Sequence, residues 1–360
     1  ASSAAAKLAD SAASGVEVRY VTEAEEDAEL PTTTPVMPTT WNNGSEVLNV
    51  SVDGPPIDFA QLATGQTMRG DPERRPLIDV PPEGLEVLQT EVTIENVDFV
   101  ARQPLDDDAA MLSLRGLKTV LHGCSFQTAG DFSQSSLPAA IRWDRDVEND
   151  QANAELSTGE LQLRDVVFRR VASGATCRLT AGMVLRWENV LCLEAGSAVQ
   201  FDRFPSADEL ALFAMSRVTL RGARSLVEVG CDVIPDAVGH LDIEAVDCAF
   251  VLPSAAGLIL FDGQERPGTF LHGLRWSGQG SVLSPRSRLA IWRMPEGRML
   301  AAADAAVPIT GVVRGEVGFA GSLADSAAGS RIVRWQAPLT SAHPPGIDDA
   351  ALWLPPVDDR

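Results

Sequence analysis

A short phrase returns seven times along this chain, and no other feature of the sequence limits the fold so tightly. Its copies close at Phe99, Phe126, Phe168, Cys192, Leu220, Phe250 and Trp276. The first reads Val92-Thr93-Ile94-Glu95-Asn96-Val97-Asp98-Phe99. Later copies close as Gly123-Cys124-Ser125-Phe126, Asp165-Val166-Val167-Phe168 and Asn189-Val190-Leu191-Cys192. The intervals are 27, 42, 24, 28, 30 and 26 residues. A period in this range marks stacked units, none of which can bury its apolar face alone.

Aligned, the copies separate by chemistry into columns. Val97, Cys124, Val166, Val190, Val218, Cys248 and Leu274 form one apolar column, and the closing residues form a second. A third holds Ile94, Leu121, Leu163, Trp187, Met215, Ala245 and Leu271. This alternation of inward and outward positions is that of a strand with one buried face. Between the strand pieces stand Asn96, Gly123, Asp165, Asn189, Arg217, Asp247 and Gly273. Asn, Asp and Gly tolerate positive φ at low cost, so this column reads as a left-handed bend repeated once per coil, with Arg217 the exception.

A coil of about two dozen residues with short strands and a fixed bend is the rung of an all-β, right-handed parallel β-helix. Stacking rungs about 4.8 Å apart pairs their backbones and joins their inward columns. Phe99, Phe126 and Phe168 should then form an aromatic stack. A β-sandwich would explain the spacing but not the bend column. The long interval places an outward loop at residues 144–153, which are polar, acidic and without strand periodicity.

One β-helix domain is expected over 1–340, with a cap helix at 1–15, the clearest rungs at about 85–276 and a Pro-rich tail at 341–360 that is extended or disordered. A strand is expected at Val16–Val21. Strand candidates lie at Val47–Val52 and Pro76–Val80. Leu289–Trp292 and Val312–Phe319 read as further rungs, and Ile332–Trp335 as the last strand. No run of about 18 apolar residues exists, so no membrane-spanning helix is expected. The first residues lack a basic start and a continuous apolar centre, so they do not read as a signal peptide. With no initiator Met, the chain reads as a piece of a longer protein.

The net charge is −21, and Lys7 and Lys118 are the only lysines. Such a surface repels phosphate backbones, which argues against nucleic acid as a partner. It equally disfavours polyuronates except through bound cations. The cysteines 124, 177, 192, 231 and 248 are odd in number and dispersed, and two fall in an inward column. They read as core thiols, not as a disulfide framework or a zinc site.

No catalytic set and no cofactor or metal motif emerges from the residues. Asp106-Asp107-Asp108 is the densest carboxylate run, and consecutive residues in a turn splay apart, so it reads as a solvated loop. His122 and His272 each stand in a Leu-His-Gly triplet at what reads as one repeat position. His240 and His343 lack a nucleophile partner. Gly278-Gln279-Gly280 lacks the remainder of a phosphate loop. The candidate ligand-binding residues are Arg142, Trp143, Asp144 and Asp146, at the root of the outward loop. An exposed Trp143 there would stack on a sugar ring, whereas Trp187 and Trp276 align with inward columns.

The repeat resembles the pectin-lyase-like right-handed β-helix superfamily over roughly residues 47–335. The ordered Asn-x-Asp, Asp-Asp, Gly-His-Gly and Arg-x-Lys set of its polygalacturonases is absent. A closer likeness is to β-helical regions that follow a kinase domain in serine/threonine kinase-like proteins of planctomycete bacteria. Residues 91–99, 117–126, 216–222 and 330–339 are similar to that group, as is the Arg-rich, Lys-poor composition. That likeness implies an extracytoplasmic or secreted sensor or adhesion region of a longer kinase-containing protein, itself without kinase activity. The expected function is non-catalytic binding of a polysaccharide or cell-surface component. The alternative is a polysaccharide lyase or glycoside hydrolase working from a lateral groove.

Overall fold

The computed structural model describes residues 47–52, 59, 62–130, 132–133, 136–144, 158–207, 209–232, 237–254, 256–264, 267–323, 332–336 and 344–354. All lie in one compact unit spanning 44–360. The expected cap helix at 1–15 and the strand at Val16–Val21 lie outside the described residues.

The chain forms a right-handed parallel β-helix. Three sheets of nine strands run along the rod, and each full coil gives one strand to each. The coil that begins at Glu91 shows the plan. Glu91–Glu95 joins the first sheet, Asp98–Ala101 the second and Ala110–Leu114 the third. The chain then re-enters the first sheet at Lys118–His122, paired in parallel with Glu91–Glu95.

The bend column does what its composition requires. Asn96, Asp165, Asn189, Arg217 and Asp247 have φ between 52° and 56°, and Gly123 has 63°. Each of these backbone N–H groups donates to the next rung, as Asn96 does to His122 O (2.9 Å) and Asn189 to Ser216 O (2.9 Å). The parallel ladder therefore passes through the corner unbroken, which satisfies groups that a bend would otherwise orphan. The seventh bend is Gly280 (φ 68°), not Gly273. Register makes the reason plain. Trp276 lies opposite Ile243 in the first sheet, and it is Leu283 that lies opposite Phe250. A short helix, Pro267–Leu271, precedes that strand and displaces the apparent phrase. His272 follows the helix and so does not share the position of His122.

Inside the rod the columns stack as files. Ile78, Phe99, Phe126, Phe168, Cys192, Leu220, Phe250 and Leu283 lie over one another in register. The Phe99 and Phe126 rings stack at 4.7 Å, and Phe126 and Phe168 at 5.5 Å. Each such pair adds about 0.5–1.5 kcal/mol beyond its buried area. Val97, Cys124 and Val166 also form one file, each carbonyl accepting from the rung above. All five cysteines are free and buried. Burial pushes the Cys124 and Cys248 thiols up to about 12, so they act as small apolar groups.

The rung expected at Val312–Phe319 continues the coil only in its first half, and the last strand expected at Ile332–Trp335 lies outside it. Val312–Arg314 is the final strand of the second sheet, but Glu316–Phe319 leaves the rod and pairs antiparallel with Ile332–Gln336. The tail, expected to be extended or disordered, is held against the outer face of the second sheet over 344–354. Gly346 N–H donates to Asp247 O (2.6 Å), Ile347 N–H to Thr219 Oγ1 (3.0 Å) and Asp348 N–H to Asn189 Oδ1 (2.7 Å). The Trp353 indole N–H reaches Asp98 Oδ2 (3.2 Å). The tail thus crosses the rungs in descending order. Ile347 and Leu352 join Val167, Leu191 and Leu193 in an apolar cluster outside the rod. The strands of the second sheet from Asp98–Ala101 to Leu191–Leu193 are buried on both faces, and simple alternation fails there.

Candidate functional site

Arg142 and Trp143 sit on the third-sheet strand Ala139–Trp143, whose pleat sends neighbouring side chains to opposite faces. Trp143 points inward. Its relative exposure is 0%, it lies in file with Leu114 and Cys177, and its Nε1–H donates to Gly116 O (3.0 Å). The sugar-stacking role expected of Trp143 is therefore unavailable, because the ring belongs to the core. Trp187 and Trp276 are buried, as their columns implied.

Arg142 points outward between Ser113 and Thr176 of the adjoining rungs. Its guanidinium lies 4.0 Å from Asp108 Oδ1 and 4.0 Å from Asp144 Oδ2. Asp144 is fixed by its N–H to Leu114 O (3.0 Å). Asp146 lies outside the described residues. Two clusters that are remote in sequence thus meet, the Asp106–Asp108 turn and the root of the outward loop. The turn and Arg142 line a shallow depression of 310 Å³ with Glu83, Glu86 and Arg115, and Asp144 stands at its edge beside Arg142. Arg115 Nε pairs with Glu86 Oε1 at 2.7 Å. Five carboxylates and two guanidiniums line the depression. Carboxylates accept and guanidiniums donate, so together they can hold a polyhydroxylated surface. The Asp108 side chain is 93% exposed, so no apolar wall desolvates it as a general acid would require. No group of three or more metal-ligating side chains suited to a cation occurs among the described residues.

A second constellation was missed from sequence. At the corner between the first and second sheets, Ser125 Oγ–H donates to Asp98 Oδ1 (2.6 Å), and Arg75 lies 3.9 Å from Asp98 while donating to Gly123 O. Beside them, His122 Nε2 is 3.2 Å from Asp165 Oδ2, and Asn189 Nδ2 donates to Asp165 Oδ1 (2.6 Å). Desolvation raises the Asp98 carboxyl above its ordinary value against the pull of Ser125, Arg75 and Trp353. Asp165 is also desolvated, but hydrogen bonds from His122 and Asn189 outweigh that and lower it. Burial lowers Arg75, against the attraction of Asp98. The cluster is lidded by Trp353, 255 residues from Asp98, a distance no local pattern spans. His240 Nε2 meets Arg275 Nη2 at 2.9 Å, and His343 lies outside the described residues.

Fold and surface together define a parallel β-helix with a self-docked tail and a charged lateral depression. No family model, curated protein or solved structure matches this chain. No helix among the described residues is long and apolar enough to cross a membrane.

Proposed function

We propose that this β-helix is a non-catalytic binding rod that presents the Arg142 depression to a polysaccharide or cell-envelope component. The observation that supports this reading is Arg142 itself, held on a rigid strand with a carboxylate at 4.0 Å on either side. Such a donor between acceptors suits vicinal hydroxyls. The net charge of −21 favours neutral over uronic polymers. An extracytoplasmic sensor or adhesion role, a place in a longer kinase-containing protein and kinship with pectin-lyase-like proteins belong to the same proposal. Arg142→Ala should weaken binding to a neutral glycan on an array at least about tenfold while melting temperature holds. Unchanged affinity would remove the site.

A second reading has one observation in its favour. Five carboxylates and two arginines share one lateral depression, more than the two carboxylates and one arginine that a lyase or hydrolase acting from such a groove would need. Incubation with acidic and neutral polysaccharides, read for new reducing ends or unsaturated products, separates the two. Turnover abolished by Asp144→Asn would replace the binding reading with the enzymatic one.

A further inference from the structure

The outer face of the second sheet is covered by the chain's own residues 344–354. Within 344–354 no residue joins a strand ladder; the attachments at Asp247, Thr219 and Asn189 fall on successive rungs, and the one at Asp98 lies three rungs beyond Asn189. The cluster of Ile347 and Leu352 with Val167, Leu191 and Leu193 is separate from the main core, which lies across the sheet.

Recognition along the groove is chemically specific. Gly346 has φ 93°, and a Cβ there would run into Thr219 Oγ1 and stand 3.0 Å from Ile332 Cδ1, so only glycine fits. Asn189 reads the Asp348 backbone on both sides, its Oδ1 accepting from N–H (2.7 Å) and its Nδ2 donating to O (3.2 Å). The Asp348 carboxylate lies 3.4 Å from Arg217 Nη1. The Trp353 ring lies under the Arg75 guanidinium, 5.0 Å from the ring centre, with its N–H on Asp98. The contacts therefore fall on Gly346, Ile347 and Asp348 and, after a three-residue spacing, on Leu352 and Trp353.

We propose that this face is a peptide-binding groove occupied in cis by the chain's own tail, and that its partner in trans is the same segment of a second copy of this chain. Every copy carries the full pattern. Exchanging one tail for another conserves every contact described above and leaves the rod core untouched, which is the low-cost route to a swapped dimer. The cis tail competes by its high local concentration, so the groove admits a second tail only when its own is released.

The test uses the full chain and a fluorescent peptide covering residues 344–354. A chain carrying Leu352→Asp and Trp353→Ala should remain folded by circular dichroism. It should bind the peptide saturably, at least about tenfold tighter than the wild-type chain does, because its own tail, stripped of Leu352 and Trp353, competes less well for the face. A peptide with Gly346→Val and Asp348→Lys should bind at least about tenfold more weakly. Refolding the wild-type chain at high concentration should give a dimer fraction by light scattering that the double variant lacks. The groove is refuted if the double variant unfolds, if it fails to bind, or if it binds no better than wild type. Strictly monomeric refolding refutes the second copy as partner.

Discussion

The first and second sheets are built from the same coils and strung on the same bends, yet their outer faces differ. On the first, outward residues are exposed or half-buried and pair across rungs, as Arg69 does with Glu95 (2.5 Å) and Arg186 with Glu160 (2.9 Å). On the second, the outward column of Asp98, Ser125, Val167, Leu191, Thr219, Ala249 and Val282 is buried throughout. A repeat sets where side chains point. It does not set whether a face meets water, because that depends on chain from elsewhere. The difference is visible in sequence as Val-Val-Phe and Leu-Cys-Leu, where first-sheet strands alternate, and continuous apolar runs mark a sheet covered on both sides.

The contrast can be broken most severely at Leu191, which is fully buried beneath the tail. Leu191→Asp places an unpaired charge there and should cost about 4 kcal/mol or more in urea unfolding. Next comes the shared corner. Asn189→Val forces a β-branched residue to φ 54° and strips the bonds to Asp165 and Asp348, for about 3 kcal/mol. Retention of the wild-type melting temperature would mean that the bend is not strained for valine.

Acid offers a chemical version of the comparison. Glu209, in the loop leading to the first-sheet strand Leu210–Ser216, is desolvated, but Arg203 and Ser206 outweigh that and bring it down to about 2. Its folded value lies below its unfolded one, so its contribution is complete above about pH 4.5 and is lost as pH falls towards 2. Glu209→Gln should therefore cost about 2 kcal/mol at neutral pH, the gap to wild type closing between those values. A gap independent of pH would contradict it. Asp98, under the tail, has the opposite sign. Its raised value means that the native state holds its proton longer, so Asp98 weakens the fold as pH rises through that value.

Two smaller effects sharpen the contrast. Arg217 occupies the bend at φ 55° without the tolerance of Asn. Arg217→Asn should stabilise by about 1 kcal/mol, because the ion pair it gives up with Asp348 is half-exposed and worth little. Ala214→Gln, on the open face of the first sheet between Arg186 and Glu244, should stay within about 0.5 kcal/mol of wild type. A large loss there would show that this face is covered too.

The candidate site was only half legible. Arg142 and Asp144 were readable because they flank a long interval, and loops on a rigid scaffold carry function. The depth of Trp143 was not, since its column is inward only once the strand register of the third sheet is known. Nor was the approach of Asp108 to Arg142, which needs two rungs laid side by side. The seventh phrase misled for a local reason. Leu-His-Gly before Leu274 imitates Leu-His-Gly at His122, but the helix inserted at Pro267–Leu271 delays the true bend to Gly280.

By itself the sequence determined the coil. The bend residues and the apolar columns act within one repeat, and backbone torsion and burial leave them a single way to stack. What only the tertiary structure decided is which faces of that rod are sealed. The side chains of Thr219, Asn189 and Asp98 hold three successive attachments of one tail, and Asp98 and Trp353 come from opposite ends of the rod-forming chain. No local preference encodes such a contact; it exists because stacked rungs place side chains from distant repeats along one face.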